Sequence, residues 1–277
     1  MTLLRQLADG SRQRRHLLAA GVYSLAALPL PTWPIASRAV ATVRADPAPG
    51  GRLEPAHAAA AEQMMDVFSA VDHAFGGGHS RTALSSYLAH DIGPRLRAPA
   101  SPRLRERMLA AATQLAYLAG HMHFDDHAHG QAQHYYQAAM DLAAANNDRA
   151  GHAMSLRALS VQAGSLGHHS QALALAETAV TGRTHGPPLR QAFLYGQLAV
   201  AHAAIGDRQA ALRALTVAER SLDRATSTTL PPIGGYHPAA LAHQEAAVRA
   251  LFGDRPGAVI ALSASCATAR PANADHA

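Results

Sequence analysis

From about Ala58 to Ala269 the chain reads as one amphipathic helix after another, with apolar residues returning every three to four positions between short turns. The strict apolar–polar alternation that marks strands is nearly missing. The pattern also repeats. Its clearest copy runs Tyr195, Leu198, Ala199, His202, Gly206, Ala211, Leu215 and Ala218. The frame returns at Leu156, Leu159, Ser160, Ala163, Gly167, Ala172, Ala176 and Ala179, and again at Ala116, Ala119, Gly120, His123, His127, Ala132, Tyr136 and Ala139. Weaker copies lie around Gly253, Ala258 and Leu262, and around Gly78, Ala83 and Tyr87. The turn positions 127, 167, 206 and 253 are separated by about 40 residues, the length of a two-helix unit. This predicts an all-α fold of about four to five antiparallel helix pairs. Small residues (Gly120, Ala132, Ser160, Ala172, Ala199, Ala211) stand where the two helices of a pair cross closely. Larger ones (Tyr136, Leu156, Tyr195, Leu198, Leu215) fill the space between pairs. One such unit cannot bury its own apolar face, so the pairs stack as an α-solenoid.

This frame resembles the tetratricopeptide repeat, slightly lengthened between units and lacking that repeat's tryptophan. Three stretches carry a narrower resemblance: Leu4 to Ala20, Leu115 to Gly120 leading to Gln133 to Ala139, and Gln171 to Ala179. Together they are similar to the C-terminal portion of actinobacterial helix-turn-helix transcriptional regulators, in which tetratricopeptide-like repeats follow a DNA-binding domain. The resemblance runs from Met1 to about Ala264 and implies a regulatory binding module. The roughly 60 residues of a DNA-binding domain are not in this chain, so the resemblance does not carry DNA binding over to it. In place of the family's continuation stands the polar tail Arg270 to Ala277. A final helix without a polar cap is expected to expose an apolar stripe, with self-association or marginal stability there as the consequence.

Composition narrows the classes. The chain is 48% apolar and only 5% aromatic, which excludes intrinsic disorder because enough surface is available to bury. The single cysteine, Cys266, excludes a disulfide framework, a cysteine-rich zinc site and an iron–sulfur cluster. The net charge of +5 suggests nucleic acid until its distribution is read. Residues 1–55 carry seven Arg against three acids, whereas residues 56–277 carry seventeen Arg against sixteen acids. The helical body is therefore nearly neutral and offers no basic face for a duplex.

The basic excess belongs to an N-terminal segment, residues 1–57. Arg14-Arg15 leads into an apolar stretch from Leu17 to Leu30, and Ala39-Val40-Ala41 follows with the small-x-small pattern of a signal-peptidase site. Together these read as a twin-arginine export signal cleaved after Ala41. The family resemblance instead makes the segment a linker in a cytoplasmic protein. The apolar stretch is too short to span a bilayer. Residues 42–57 are rich in Pro and Gly and read as a linker, residues 58–269 as the repeats, and residues 270–277 as a disordered tail.

Chemistry is sparse. There is no Gly-x-Ser-x-Gly elbow, Gly76-Gly77-Gly78 lacks the lysine of a P-loop, and Asp125 and Asp126 are adjacent, so they point apart on a helix. No catalysis and no cofactor are expected. His123, Asp125, His127 and His129 have the i, i+4 spacings that chelate zinc or nickel if a helix runs through them. The resemblance points elsewhere, because the first helix of each tetratricopeptide pair lines a concave groove that holds a peptide or partner helix. Carried over by frame, the groove positions are Gln114, Tyr117, His121, Asp125, Met154, Arg157, Val161, Phe193, Gln197, Val200, His243 and Gln244. Arg157 would clamp a carboxylate there. The expected function is a non-enzymatic module that recognises a peptide or protein, with an exported repeat scaffold and a histidine-cluster metal protein as the other readings.

Overall fold

The computed structural model describes residues 22–28, 51–181, 187–225 and 238–269 of the 277-residue chain. Among these residues there are helices and turns and no strand. The Arg-Arg stretch, the cleavage site expected after Ala41 and the 270–277 tail lie outside the described residues. Two compact units divide the chain between Leu159 and Ser160.

The first unit holds a 3-10 turn over Leu25–Ala27 and then α1, Pro55–Phe75. It starts a little before the expected boundary at Ala58, because Glu54 is an N-cap. The His57 N–H donates to Glu54 O at 3.0 Å, and the Glu54 N–H donates to His57 Nδ1 at 3.1 Å, with Pro55 at the first helical position. Gly76, at φ 78°, ends α1, and α2 follows over Gly77–Tyr87. A π-turn over Leu88–Ile92 joins α2 to α3, Gly93–Arg97, without a break. Pro94 explains the widened turn: it has no N–H to give, and its ring would strike the carbonyl four residues earlier in a regular helix. The N–H of Gly93 accordingly reaches Leu88 O. Next come α4, Pro102–Asp125, and α5, His129–Ala145. Then α6 spans Arg149–Ser165, and the division between the units falls inside it.

Helices of the first unit pack as neighbouring pairs: α1 on α2, both on α4, and α4 on α5. Met65, Leu84, Leu88, Met108, Leu115 and Met122 are fully buried between them. Close approach is set by glycine at two points. A methyl group on Gly77 would come within 2.7 Å of the Met122 Cα, and one on Gly120 within 2.6 Å of the Tyr136 ring. Across the outer surface Arg107 forks onto Glu62, with N–O distances of 3.1 and 2.7 Å.

In the second unit α7 covers His169–Thr181, α8 Pro188–Ala204, α9 Arg208–Asp223, α10 Pro238–Leu251 and α11 Arg255–Ala269. Here α8 packs on α7, α9 and α10, while α10 packs on α11. Contact between α8 and α10 is the stacking of one pair's first helix on the next. Ala199 and Ala211 are completely buried where α8 crosses α9, as the repeat frame predicts. Ser160 Oγ donates to Ala172 O at 2.7 Å, so a small side chain is again needed at a crossing. The final helix exposes Val259 (63%) and Ile260 (71%), the apolar stripe expected of it.

One turn is used five times. His127, Asn147, Gly167, Gly206 and Gly253 all have φ between 51° and 84°. After each, the next N–H bonds five residues back: Ala128 to His123, Asp148 to Ala143, His168 to Ala163, Asp207 to His202 and Asp254 to Arg249, at 2.8–3.0 Å. The left-handed residue itself bonds three residues back in every case, completing the Schellman motif that satisfies the helix's last carbonyls. Aspartate then caps the following helix in three of the turns. Asp148, Asp207 and Asp254 accept from Gly151, Ala210 and Gly257 N–H respectively, each at 2.9–3.0 Å. At His127 a side chain occupies the left-handed region that favours glycine. His127→Gly should therefore stabilise the chain by about 1 kcal/mol, raising Tm by roughly 2–4 °C. An unchanged or lower Tm in a thermal melt would show that this turn holds no strain.

A candidate ligand face on the first unit

The repeat frame's groove residues of the first unit are Gln114, Tyr117, His121 and Asp125 on α4, and Met154 and Arg157 on α6. The spacing places the α4 set along one helix face. Gln114, His121, Met154 and Arg157 are half-buried and Asp125 is exposed. Tyr117 is not a surface anchor. It is buried, and its ring lies 5.5 Å from that of Tyr136 on α5, directly over the Gly120 crossing.

A residue outside that frame completes the face. Asp72, near the end of α1, has a side chain only 10% exposed. Its Oδ2 lies 3.9 Å from His121 Nε2, and Asp125 Oδ2 lies 3.5 Å from the same nitrogen. These separations are close enough for charge attraction and too long for good hydrogen bonds. Asp72 Oδ1 is buried, and no described protein group donates to it. A buried acceptor without a donor costs about 1–3 kcal/mol. Burial pushes the Asp72 carboxyl above its ordinary range, His121 and His73 draw it back down, and Asp125 pushes it further up. Tyr136 feels the same groups: burial drives its hydroxyl well above 10, with Tyr117, Asp125 and Asp72 adding to that and Arg157 opposing it. The face therefore gathers two carboxylates, an imidazole and a guanidinium around a buried tyrosine pair.

In the second unit the frame's residues separate. Val161, Phe193 and Val200 are half-buried and His243 is exposed. Gln197 and Gln244, expected in the groove, are buried between helices instead. Gln197 Nε2 donates to Ser160 Oγ at 3.1 Å, and Gln244 lies against Gly196, where a methyl group would collide with its carboxamide.

The histidine cluster does not converge. His123 turns into the core, its Nδ1 is 2.7 Å from Ala119 O, and its ring stacks 4.9 Å from that of Tyr135. Burial lowers its pKa to about 4. His127 forms the left-handed turn, which breaks the register that the i, i+4 pairs need. Among the described residues no three His, Cys, Asp or Glu side chains are grouped to hold a metal ion. Cys266 is an exposed free thiol. No described helix is long and apolar enough to cross a membrane. Compared with protein-family models, curated proteins and solved structures, the chain finds no match.

Proposed function

We propose that this chain is a non-enzymatic binding module, a relative of the sensor half of helix-turn-helix regulators working in the cytoplasm. It recognises a peptide or protein partner through the α1–α4 face of its first unit. The observation that carries this reading is the Asp72 carboxylate, nine-tenths buried beside His121 with one oxygen that no described group satisfies. A ligand N–H, from a peptide backbone or a basic side chain, supplies the missing donor and relieves a penalty the free protein bears. Asp125 adds negative charge at the rim, so a peptide carrying Arg or Lys is favoured. Arg157, within electrostatic reach of Tyr136, suits a carboxylate on the same ligand.

Selection of peptides from a random displayed library against the full chain tests this. Enriched sequences should carry a basic residue. Their affinity should fall about tenfold or more in Asp72→Asn, the loss expected of one charged hydrogen bond. Enriched peptides that bind Asp72→Asn and His121→Ala as tightly as the unaltered chain would remove this face from consideration.

A further inference from the structure

Gln133 is an unusual residue for the middle of a helix pair: a neutral carboxamide on α5, 1% exposed. A buried carboxamide must be hydrogen-bonded. Both partners come from the same distant residue. Ser24 N–H donates to Gln133 Oε1 at 2.9 Å, and Gln133 Nε2 donates to Ser24 O at 2.8 Å. Ser24 is extended, at φ −132° and ψ 119°, which presents its N–H and C=O to the one side chain. One helical turn along α5, Gln137 Nε2 donates to Ala27 O. Side chains anchor the ends of the segment: Leu28 is 7% exposed, and burial of the Tyr23 hydroxyl raises its pKa to about 12. Val22, just before Tyr23, and Leu25, between the two anchors, remain exposed.

These contacts read main chain. A glutamine that pairs with both the N–H and the C=O of one residue imitates a neighbouring strand, the logic by which extended peptides are bound without regard to most side chains. We infer that the α5 surface around Gln133 and Gln137 is a binding site for a short apolar peptide that is extended at one residue and then makes a 3-10 turn, and that the chain fills it with its own segment Val22–Leu28, extended at Ser24 and turned over Leu25–Ala27. This inference stands independently of the ligand face on α1 and α4. It gives Val22–Leu28, within the apolar stretch near the N-terminus, a folded role: the segment is a ligand held in cis.

The test uses the full chain with a protease recognition sequence inserted between residues 42 and 50. After cutting, the N-terminal fragment should stay with the helical body through gel filtration. A labelled peptide of residues 20–30, added in excess, should displace it. Because the site reads backbone, the peptide with Ser24→Ala should bind like the unaltered one. Ser24→Pro, which removes the donated N–H and cannot adopt φ −132°, should bind about tenfold more weakly. Gln133→Ala in the body should weaken both fragment and peptide to a similar extent. If cutting unfolds the body, hydrogen exchange on the uncut chain decides: the Ser24 amide should be protected, and Gln133→Ala should remove that protection while leaving α4 unchanged. Separation of the fragment from a folded body, equal binding of the Ser24→Pro peptide, or a Ser24 amide that exchanges freely would each overturn the inference.

Discussion

Tyr136→Ala is expected to destabilise the first unit by about 3–5 kcal/mol, the usual loss for a fully buried aromatic side chain. The ring closes the α4–α5 crossing against Tyr117 and lies where any side chain at position 120 would have to go. Gly120→Ala is therefore expected to cost about 1–3 kcal/mol through overpacking, although alanine favours a helix over glycine by about 1 kcal/mol. The two changes should not add. Once the ring is gone, the Gly120→Ala methyl enters the space it leaves, so the double variant should be more stable than the sum of the singles predicts. Urea unfolding of the four chains measures this directly. Additive losses would mean that Tyr136 and Gly120 do not face each other across this crossing.

The second large effect is a loss of stability in acid. His123 is buried and neutral, with a folded pKa lowered by burial to about 4 from an ordinary value of 6.5. Between those values the unfolded chain binds the proton and the folded chain does not. Stability is therefore intact above pH 6.5 and declines as the pH falls toward 4, by up to about 3 kcal/mol. Burial also lowers the pKa of His129 and His152, which act in the same direction. The raised Asp72 carboxyl opposes them, because the folded state then takes up its proton first. Denaturant midpoints measured from pH 7 to pH 4.5 should fall steeply. His123→Phe, which keeps a ring against Tyr135 and has nothing to protonate, should flatten that slope. An equally steep slope in His123→Phe would place the acid sensitivity elsewhere.

Much of the helical framework was legible because it rests on local rules. Gly167, Gly206 and Gly253 marked turns, and the small residues at 120, 172, 199 and 211 marked crossings, since backbone conformation and close packing each demand particular residues. The turn at Asn147 escaped notice because asparagine reaches the left-handed region without glycine's signature. It also joins one pair to the next, outside the interval on which the repeat was aligned. The site was less legible. Asp72 sits on α1, in the copy too faint to align, and its importance lies in a missing donor, a property of three-dimensional surroundings. Gln197 and Gln244 have the polarity of groove residues, and only packing shows them to be interior. His123 shares the polar run of its neighbours, yet helical phase turns it inward while His121 stays on the proposed ligand face. The docking of Val22–Leu28 on Gln133 joins positions more than 100 residues apart, with no pattern shared between them.

Hydrogen exchange of the full chain, with and without the tightest peptide selected against it, tests the proposed binding face most directly. Added protection is expected at the end of α1 around Asp72, along α4 from Gln114 to Asp125, and at Met154 to Arg157 on α6, and it should vanish in Asp72→Asn. Protection confined to α8 through α11, or the same protection in the Asp72→Asn chain, would contradict the account.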